Sequence, residues 1–287
     1  MFIPRRLDKF LSESTTSSVA ALRRALLNKE VQVISEGRAS SEQEGNRLIF
    51  EDDQVIFRDE PVQPRRECRA FVLNKPKSVT STLRDPTGKQ DLSAWMRTLP
   101  PGIFPVGRLD RDSTGALLLT DSGDLSTALL QPDHKTPKGY WLWLNESMDA
   151  DDARLKRWLH GLPMLGGTAR AVSVEILQQT PDMTELSVVL TEGKNRQLRR
   201  MCRAVDLRLL HLHRRSIGPI EVKDLPLGAL RELSQHEVEA LWLSAGGRKV
   251  VDERKVRALQ LFAERARTQQ QPHLRLEQWL SALPQID

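Results

Sequence analysis

From about residue 69 to residue 243, short apolar runs of strand length alternate irregularly with stretches of helical period, and no other feature limits the fold as much. Ala70-Phe71-Val72-Leu73 reads as a strand ended by Asn74-Lys75-Pro76, and Ala116-Leu117-Leu118-Leu119-Thr120 reads as a second. A turn at Asp121-Ser122-Gly123 leads into a helix with Asp124 as its cap and Leu125, Ala128 and Leu129 as its buried face. Tyr140-Trp141-Leu142-Trp143-Leu144 is a further strand, and Leu186, Val188 and Leu190 alternate along another. This mixture predicts an α+β fold whose mixed sheet is mostly antiparallel and flanked by helices. No segment repeats at a fixed period.

The flanks differ from this centre. In residues 1–58, Leu7, Phe10 and Leu11 recur at helical spacing, and Val19, Leu22, Leu26 and Leu27 repeat the pattern in a second helix. Arg23, Arg24 and Lys29 project from the second helix, ahead of the strand-like run Val31-Gln32-Val33-Ile34. Residues 59–68, with Pro61, Pro64, Arg65 and Arg66, join proline to charge without an apolar period and read as a linker. A central domain over 69–243 follows, and then a helical extension over 244–287 that opens on the break Ala245-Gly246-Gly247. Val256, Leu259, Phe262, Leu276, Trp279, Leu280 and Leu283 supply its amphipathic period, around a flexible joint at Gln269-Gln270-Gln271-Pro272.

At 287 residues the chain can bury its cores without disulfides, and its two distant cysteines, Cys68 and Cys202, fit a reducing compartment. No apolar run approaches the ~20 residues of a helical membrane span. The opening Met1-Phe2-Ile3-Pro4-Arg5-Arg6 lacks the apolar centre of a secretion signal, so a soluble cytoplasmic protein is expected. Lys and Arg number 43 against 38 Asp and Glu, giving a charge of +5 and a pI near 9.4, which favours a polyanionic partner where positive charge clusters. His134, His160, His211, His213, His236 and His273 have no ligand spacing to either cysteine, so no metal is expected. Neither a Walker-type phosphate loop nor a dinucleotide glycine fingerprint occurs, so no cofactor is expected.

Two strings carry the chemistry. Residues 107–115 read Gly-Arg-Leu-Asp-Arg-Asp-Ser-Thr-Gly, and Asp110 stands between Arg108 and Arg111 just ahead of a strand, where loops present functional side chains. As a bare pattern it is equally a turn aspartate paired with an arginine. Residues 191–203 read Thr-Glu-Gly-Lys-Asn-Arg-Gln-Leu-Arg-Arg-Met-Cys-Arg. There a strand ends, Gly193 turns, and a helix begins with Leu198, Met201, Cys202 and Val205 on one face and Arg196, Arg199, Arg200 and Arg203 on the other. Lys194 precedes this face, and Arg214 and Arg215 follow. A solvated basic face is the plain reading. The density of arginine at a helix start, offset by Asp206 alone, favours contact with RNA phosphates.

Asn74-Lys75-Pro76, Gly107-Arg108-Leu109-Asp110 with Ser113-Thr114-Gly115, and the run Glu192 to Met201 occur in the order seen in pseudouridine synthases. Over about residues 5–243 the chain resembles the RsuA-type branch, which modifies ribosomal RNA. Arg6-Leu7-Asp8-Lys9-Phe10-Leu11, and the order helix, basic helix, strand, resemble the small RNA-binding domain named after ribosomal protein S-four. The glycine usual before that strand is replaced by Lys29-Glu30, and the following loop matches poorly.

The resemblance implies that Asp110 is the essential catalytic aspartate. It implies that Tyr140, the only tyrosine, stacks on the target base, that Arg199 pairs with the carboxylate, and that Ile217 lines the uracil pocket. Arg108 joins these as a substrate-binding residue, while Arg23, Arg24, Lys29, Lys194, Arg196, Arg200 and Arg203 are the expected RNA contacts. Two departures stand out: Ser78 follows Lys77 where a glycine is usual, and Gly139 replaces a bulkier residue.

The implied reaction is isomerisation of a uridine to pseudouridine in ribosomal RNA, large-subunit RNA being favoured, by a monomer. The target base must leave its stack, and an aromatic platform replaces the lost stacking, worth roughly 1–3 kcal/mol per base. The alternatives are a tRNA substrate or a non-catalytic RNA-binding assembly factor.

Overall fold

The apolar spacing near the N-terminus folds as helices. After β1 (Arg5–Arg6), α1 (Leu7–Ser14) buries Leu7, Phe10 and Leu11. α2 (Val19–Leu27) is capped by the Ser18 hydroxyl, which accepts from the Ala21 N–H, and it buries Leu22, Ala25 and Leu26. Val19 and Leu27, expected on that buried face, are exposed. Leu27 lies about 100° round the helix from Leu26, and Ala25 takes its place on the stripe. Lys29 then adopts φ +59°, the left-handed conformation that glycine enters freely, and turns the chain toward the next strand.

The strands that follow are β2 (Val31–Ser35), β3 (Arg38–Ser41), β4 (Leu48–Ile49), β5 (Gln54–Phe57) and β6 (Glu60–Val62). An antiparallel sheet of order β3-β2-β5-β6 results, and β1 pairs with β4. β6 corrects the reading of 59–68 as linker throughout: Val62 packs on the local core, and Pro61 is tolerated because β6 is an edge strand.

The structure is a computed structural model that describes residues 2–15, 17–64, 68–83, 85–164, 167–269 and 273–283. It divides into two compact units, one of residues 1–66 with 247–287 and one of residues 67–246. Arg65 and Arg66, and the expected joint beyond Gln269, lie outside the described residues.

The second unit runs β7 (Ala70–Lys75), α3 (Ser93–Met96), β8 (Phe104–Pro105), β9 (Thr114–Thr120), α4 (Gly123–Leu130), β10 (Lys138–Leu144) and α5 (Ala153–His160). It continues with β11 (Leu162–Met164), β12 (Gly167–Ala169), β13 (Ser173–Thr180), β14 (Met183–Leu190), α6 (Gln197–Arg203), β15 (Leu209–Ile217), β16 (Ile220–Glu221), β17 (Leu230–Glu232) and α7 (Gln235–Ser244). The main sheet has the order β13-β14-β10-β15-β9-β7-β17, with β8 on β9 and β16 on β15. Among its described strands β15 and β9 alone pair in parallel, so the fold is α+β with a mostly antiparallel sheet. Helix α4 is capped by Ser122, whose hydroxyl accepts from the Leu125 N–H. Asp124 sits in the first turn instead, because the cap falls two residues earlier than the apolar period suggests.

Period-2 alternation sorts the two faces of the central strands. Leu142, Leu186, Val188 and Leu212 pack with Leu198, Met201 and Cys202 of α6 and with Trp158 of α5. Each such side chain contributes about 1.5–3 kcal/mol when fully buried. A neighbouring core joins Phe71, Leu73, Leu117 and Leu119 to Val79, Leu92 and Ile103. On the alternate positions, Trp141 stacks on His213 at 5.5 Å and Trp143 meets His211 at 5.1 Å. Thr114 Oγ1 bonds both imidazoles, at 3.0 Å to His211 and 2.9 Å to His213.

The first unit is completed by α8 (Gly247–Thr268) and α9 (Leu274–Ser281). Leu259, Ala263 and Leu276 pack with Ile3, Leu48 and Phe50, while Arg275 bonds Asp52 and Asp53. Phe262, expected on the buried stripe, is half exposed, since Leu259 and Ala263, four residues apart, already fill it. Among the described residues no helix is long and apolar enough to cross a membrane.

Candidate active site

Asp110 stands in the loop between β8 and β9, and neighbouring segments pin that loop on both sides. Ser81 Oγ donates to the Leu109 carbonyl at 2.7 Å and accepts the Leu109 N–H at 3.1 Å. The Ser78 N–H donates to the Arg111 carbonyl at 2.8 Å, and Ser78 has φ +69°. Serine thus takes up the left-handed geometry at the position where the resemblance expected glycine. Behind it, Lys75 is wholly buried, with Nζ donating to the carbonyls of Pro76 and Val79 at 2.9 Å each. Burial pushes this ammonium down to about 8. The Asn-Lys-Pro string therefore shapes the turn that holds the aspartate loop.

Gly115 closes the same string for a steric reason. Its φ is +108°, and a Cβ there would lie 2.2 Å from the Arg214 carbonyl oxygen. β9 and β15 meet at this point, His213 opposite Thr114 and Arg214 opposite Gly115. A side chain would separate the strands where the loop begins.

The Asp110 carboxylate faces two cations. Its Oδ2 lies 3.4 Å from Arg196 Nη1 and 3.4 Å from Arg199 Nε. Arg199 Nη2 also donates to the Ser113 hydroxyl at 3.0 Å and the Asp112 carbonyl at 3.2 Å, so one guanidinium spans the loop. The Arg199 side chain is 14% exposed and that of Asp110 27%. The arginines read as one outward face of α6 are thus divided: Arg196 and Arg199 turn to the carboxylate, Arg200 is half-buried, and Arg203 is exposed. Gln197, which sequence reasoning passed over, is buried and braces the preceding turn, bonding Glu192 and the Lys194 N–H.

A cavity of about 510 Å³ opens beside Asp110, within the usual range for a small-molecule site of roughly 300–1,000 Å³. Arg108, Tyr140, Lys194, Arg196, Arg199 and Ile217 all line it with Asp110. Tyr140 and Ile217 are 8% and 4% exposed and form its apolar wall. Two further lining residues were not among the expected site residues, Lys138 and Arg214. Burial and the Arg214 charge push the Lys138 ammonium down to about 8. Strand alternation was the available signal: Lys138 lies two residues before Tyr140 on β10, and Arg214 two after Leu212 on β15.

Of the other expected contacts, Arg200 and Arg203 do not line this cavity. Arg23, Arg24 and Lys29 belong to the first unit, exposed on and just after α2. Arg23 lines a separate cavity of about 610 Å³ there, with Arg6 and Lys9. Cys202 is buried and its thiol pushed up to about 12 by that burial, which leaves it without nucleophilic character. Among the described residues no three His, Cys, Asp or Glu side chains group to hold a metal ion.

The family model described as RNA pseudouridylate synthase matches residues 69–204. An RNA pseudouridine synthase of Aquifex aeolicus is 32% identical, covering 84% of this chain and 95% of its own. The ribosomal small subunit pseudouridine synthase A of Yersinia pestis is 30% identical over 82% of this chain and 97% of its own. The ribosomal large subunit pseudouridine synthase B of Bacillus subtilis is 28% identical, over 82% and 95%. A crystal structure of a pseudouridylate synthase covers 82% of this chain and 99% of its own, at 27% identity and a TM-score of 0.55.

Proposed function

The chain belongs to the RNA pseudouridylate synthase family, in its RsuA-type branch, and on that premise we propose that it isomerises a specific uridine of large-subunit ribosomal RNA, with Asp110 as the catalytic carboxylate. One observation carries the assignment: a carboxylate faced by two arginines beside a cation-lined cavity of nucleotide size, one wall of which is made by the chain's one tyrosine and Ile217. The large-subunit preference is supported by the spelling of residues 195–202 and by the large-subunit enzyme among the relatives.

In this reading the target uridine swings out of its stack into the cavity, and the Tyr140 ring replaces the stacking it lost. Asp110 then either adds to the sugar at C1′ or takes the proton from C2′ as the bond from C1′ to ring N1 breaks. Arg199, bonded to Ser113 and Asp112, keeps the carboxylate aimed at the sugar. The ring turns against Tyr140 and Ile217 and rejoins through C5. Arg108 and Lys194 at the cavity, Arg200 and Arg203 on α6, and Arg23, Arg24 and Lys29 in the S-four-like unit meet RNA phosphates.

The test is chemical mapping of pseudouridine across total rRNA and tRNA from a strain lacking the gene, complemented with wild type or Asp110→Ala. One large-subunit site lost and restored by wild type alone is the expected result. Restoration by both would remove Asp110 from the chemistry, and loss of a tRNA site instead would move the substrate.

A further inference from the structure

We propose that Lys138 and Arg214 form an anion site in the Asp110 cavity, which holds the uracil ring while it is detached from the sugar and negatively charged. The inference rests on the uridine isomerisation proposed above and assigns the charge balance of its middle step.

Arg214 is 6% exposed, and its guanidinium is only partly engaged. Nε donates to the Ala116 carbonyl at 2.7 Å, while Nη2 is buried without a hydrogen-bond partner. No carboxylate among the described residues pairs with it. Lys138 lines the same cavity from β10, opposite Ile217 in register, and its Nζ donates to the Thr136 carbonyl at 3.1 Å. A buried cation, Arg214, and a half-buried one, Lys138, thus share a wall with Tyr140 and Ile217. Such an arrangement is costly unless an anion completes it.

Asp110 does not fill that role, since its carboxylate already faces Arg196 and Arg199. Lys75, the other buried ammonium nearby, is engaged by the carbonyls of Pro76 and Val79. The remaining ionisable groups of the cavity, Arg108, Arg111 and Lys194, are cationic as well. Asp110 is thus the one carboxylate among the lining residues, and the cations against the apolar wall where a flat ring would sit have no negative partner among them.

The reaction supplies a matching charge. When the bond from N1 to C1′ breaks, its electron pair leaves on the ring. Asp110 meanwhile adds to C1′ or removes the C2′ proton, so the sugar side is satisfied. The ring is then a uracil anion whose charge spreads onto O2 and O4. C5 then bonds to C1′ as the Asp110–C1′ bond breaks, or as Asp110 returns its proton to C2′, so that Asp110 leaves as the carboxylate. Loss of the C5 proton and protonation of N1 complete the product, with no oxidant or reductant required. Preorganised donors in a water-poor site favour a charge that develops only after the ground state. Arg214 supplies a permanent cation and Lys138 a titratable one.

The experiment uses the full chain and ribosomal RNA transcripts carrying uridine tritiated at C5, whose release reports loss of the C5 proton. Lys138→Met should slow single-turnover release about 10²-fold. Transcript affinity should stay within about two-fold, because the charge is met after binding. Wild-type rate should fall as pH rises through about 8, whereas Lys138→Arg should keep its rate above that pH. Rate and affinity falling together in Lys138→Met would make the lysine a phosphate contact, and an unchanged alkaline loss in Lys138→Arg would also overturn the proposal.

A second probe needs no turnover: fluorine NMR of free 5-fluorouracil, which ionises more readily than uracil. Wild type should favour its ionised form, and Lys138→Met should not. Preference for the ionised form without tritium release from any transcript would sink the isomerisation and sustain the anion site. Tritium release without that preference would sink the anion site alone.

Discussion

Replacing Gly115 by alanine tests the geometry that joins the aspartate string to the sheet. The new methyl would lie 2.2, 2.6 and 2.8 Å from the O, N and C atoms of Arg214, all of them backbone, so nothing nearby can rotate away. The φ of +108° adds strain of about 1–3 kcal/mol for a non-glycine residue. Overpacking adds about 1–3 kcal/mol more. The expected loss, about 2–6 kcal/mol, is a large share of the roughly 5–15 kcal/mol of a typical fold.

Two other glycines calibrate the measurement. At Gly139 the added carbon would come 2.6 Å from Ser216 Oγ, a side-chain end that can rotate at a cost of about 0.5–1.5 kcal/mol. Gly193 has open space around it, and alanine there should be neutral or stabilising by up to about 1 kcal/mol. Urea unfolding of the three variants beside wild type should therefore rank Gly115→Ala far below Gly139→Ala, with Gly193→Ala at or above wild type. A Gly115→Ala midpoint no lower than that of Gly139→Ala would refute the close approach of β9 and β15.

Tyr140→Phe should keep most of the single-turnover rate that Tyr140→Ala loses, because the ring supplies the stacking; equal losses would assign the work to the hydroxyl. Ser81→Ala removes both bonds to Leu109 and should lower turnover with RNA affinity unchanged, since the loop is displaced without loss of positive charge; a parallel fall in affinity would argue against that role. Burial, then the His211 charge, pushes His213 from 6.5 down to about 4. The unfolded chain therefore binds that proton first, so stability is complete above about pH 6.5 and declines toward pH 4, by at most about 3 kcal/mol. His213→Asn should flatten this acid limb of a melting-temperature series, and an unchanged slope would clear His213 of responsibility. Arg203→Ala should reduce the salt dependence of RNA binding by about one phosphate contact, and an unaltered slope would remove Arg203 from the interface.

The residues legible from sequence were those whose role follows from local order. Short apolar runs marked β9 and β10, alternation marked β14, and the Gly-Arg-Leu-Asp string marked the loop that carries Asp110. What escaped was decided by contacts distant in sequence. The pattern put Arg196 and Arg199 on one RNA-facing side of the helix with Arg200 and Arg203, and resemblance alone pointed Arg199 at the carboxylate. A helical wheel cannot register a loop 86 residues upstream, where Ser113 accepts from Arg199. Lys138 and Arg214 were not assigned to the site for the same reason: they reach its wall because β10 and β15 lie side by side. Lys29 and Ser78 show the converse error. Each replaces a glycine expected from resemblance, yet each adopts the left-handed backbone a glycine would supply, at φ +59° and +69°. That conformation costs a non-glycine residue about 1–2 kcal/mol, which the surrounding fold must offset. At Ser78 the offset is visible, because the strained turn delivers its N–H to the Arg111 carbonyl and so steadies the aspartate loop. Fold and site therefore demand a backbone conformation at that position rather than a particular residue, and Ser78→Gly should stabilise the chain while leaving Asp110 where it is.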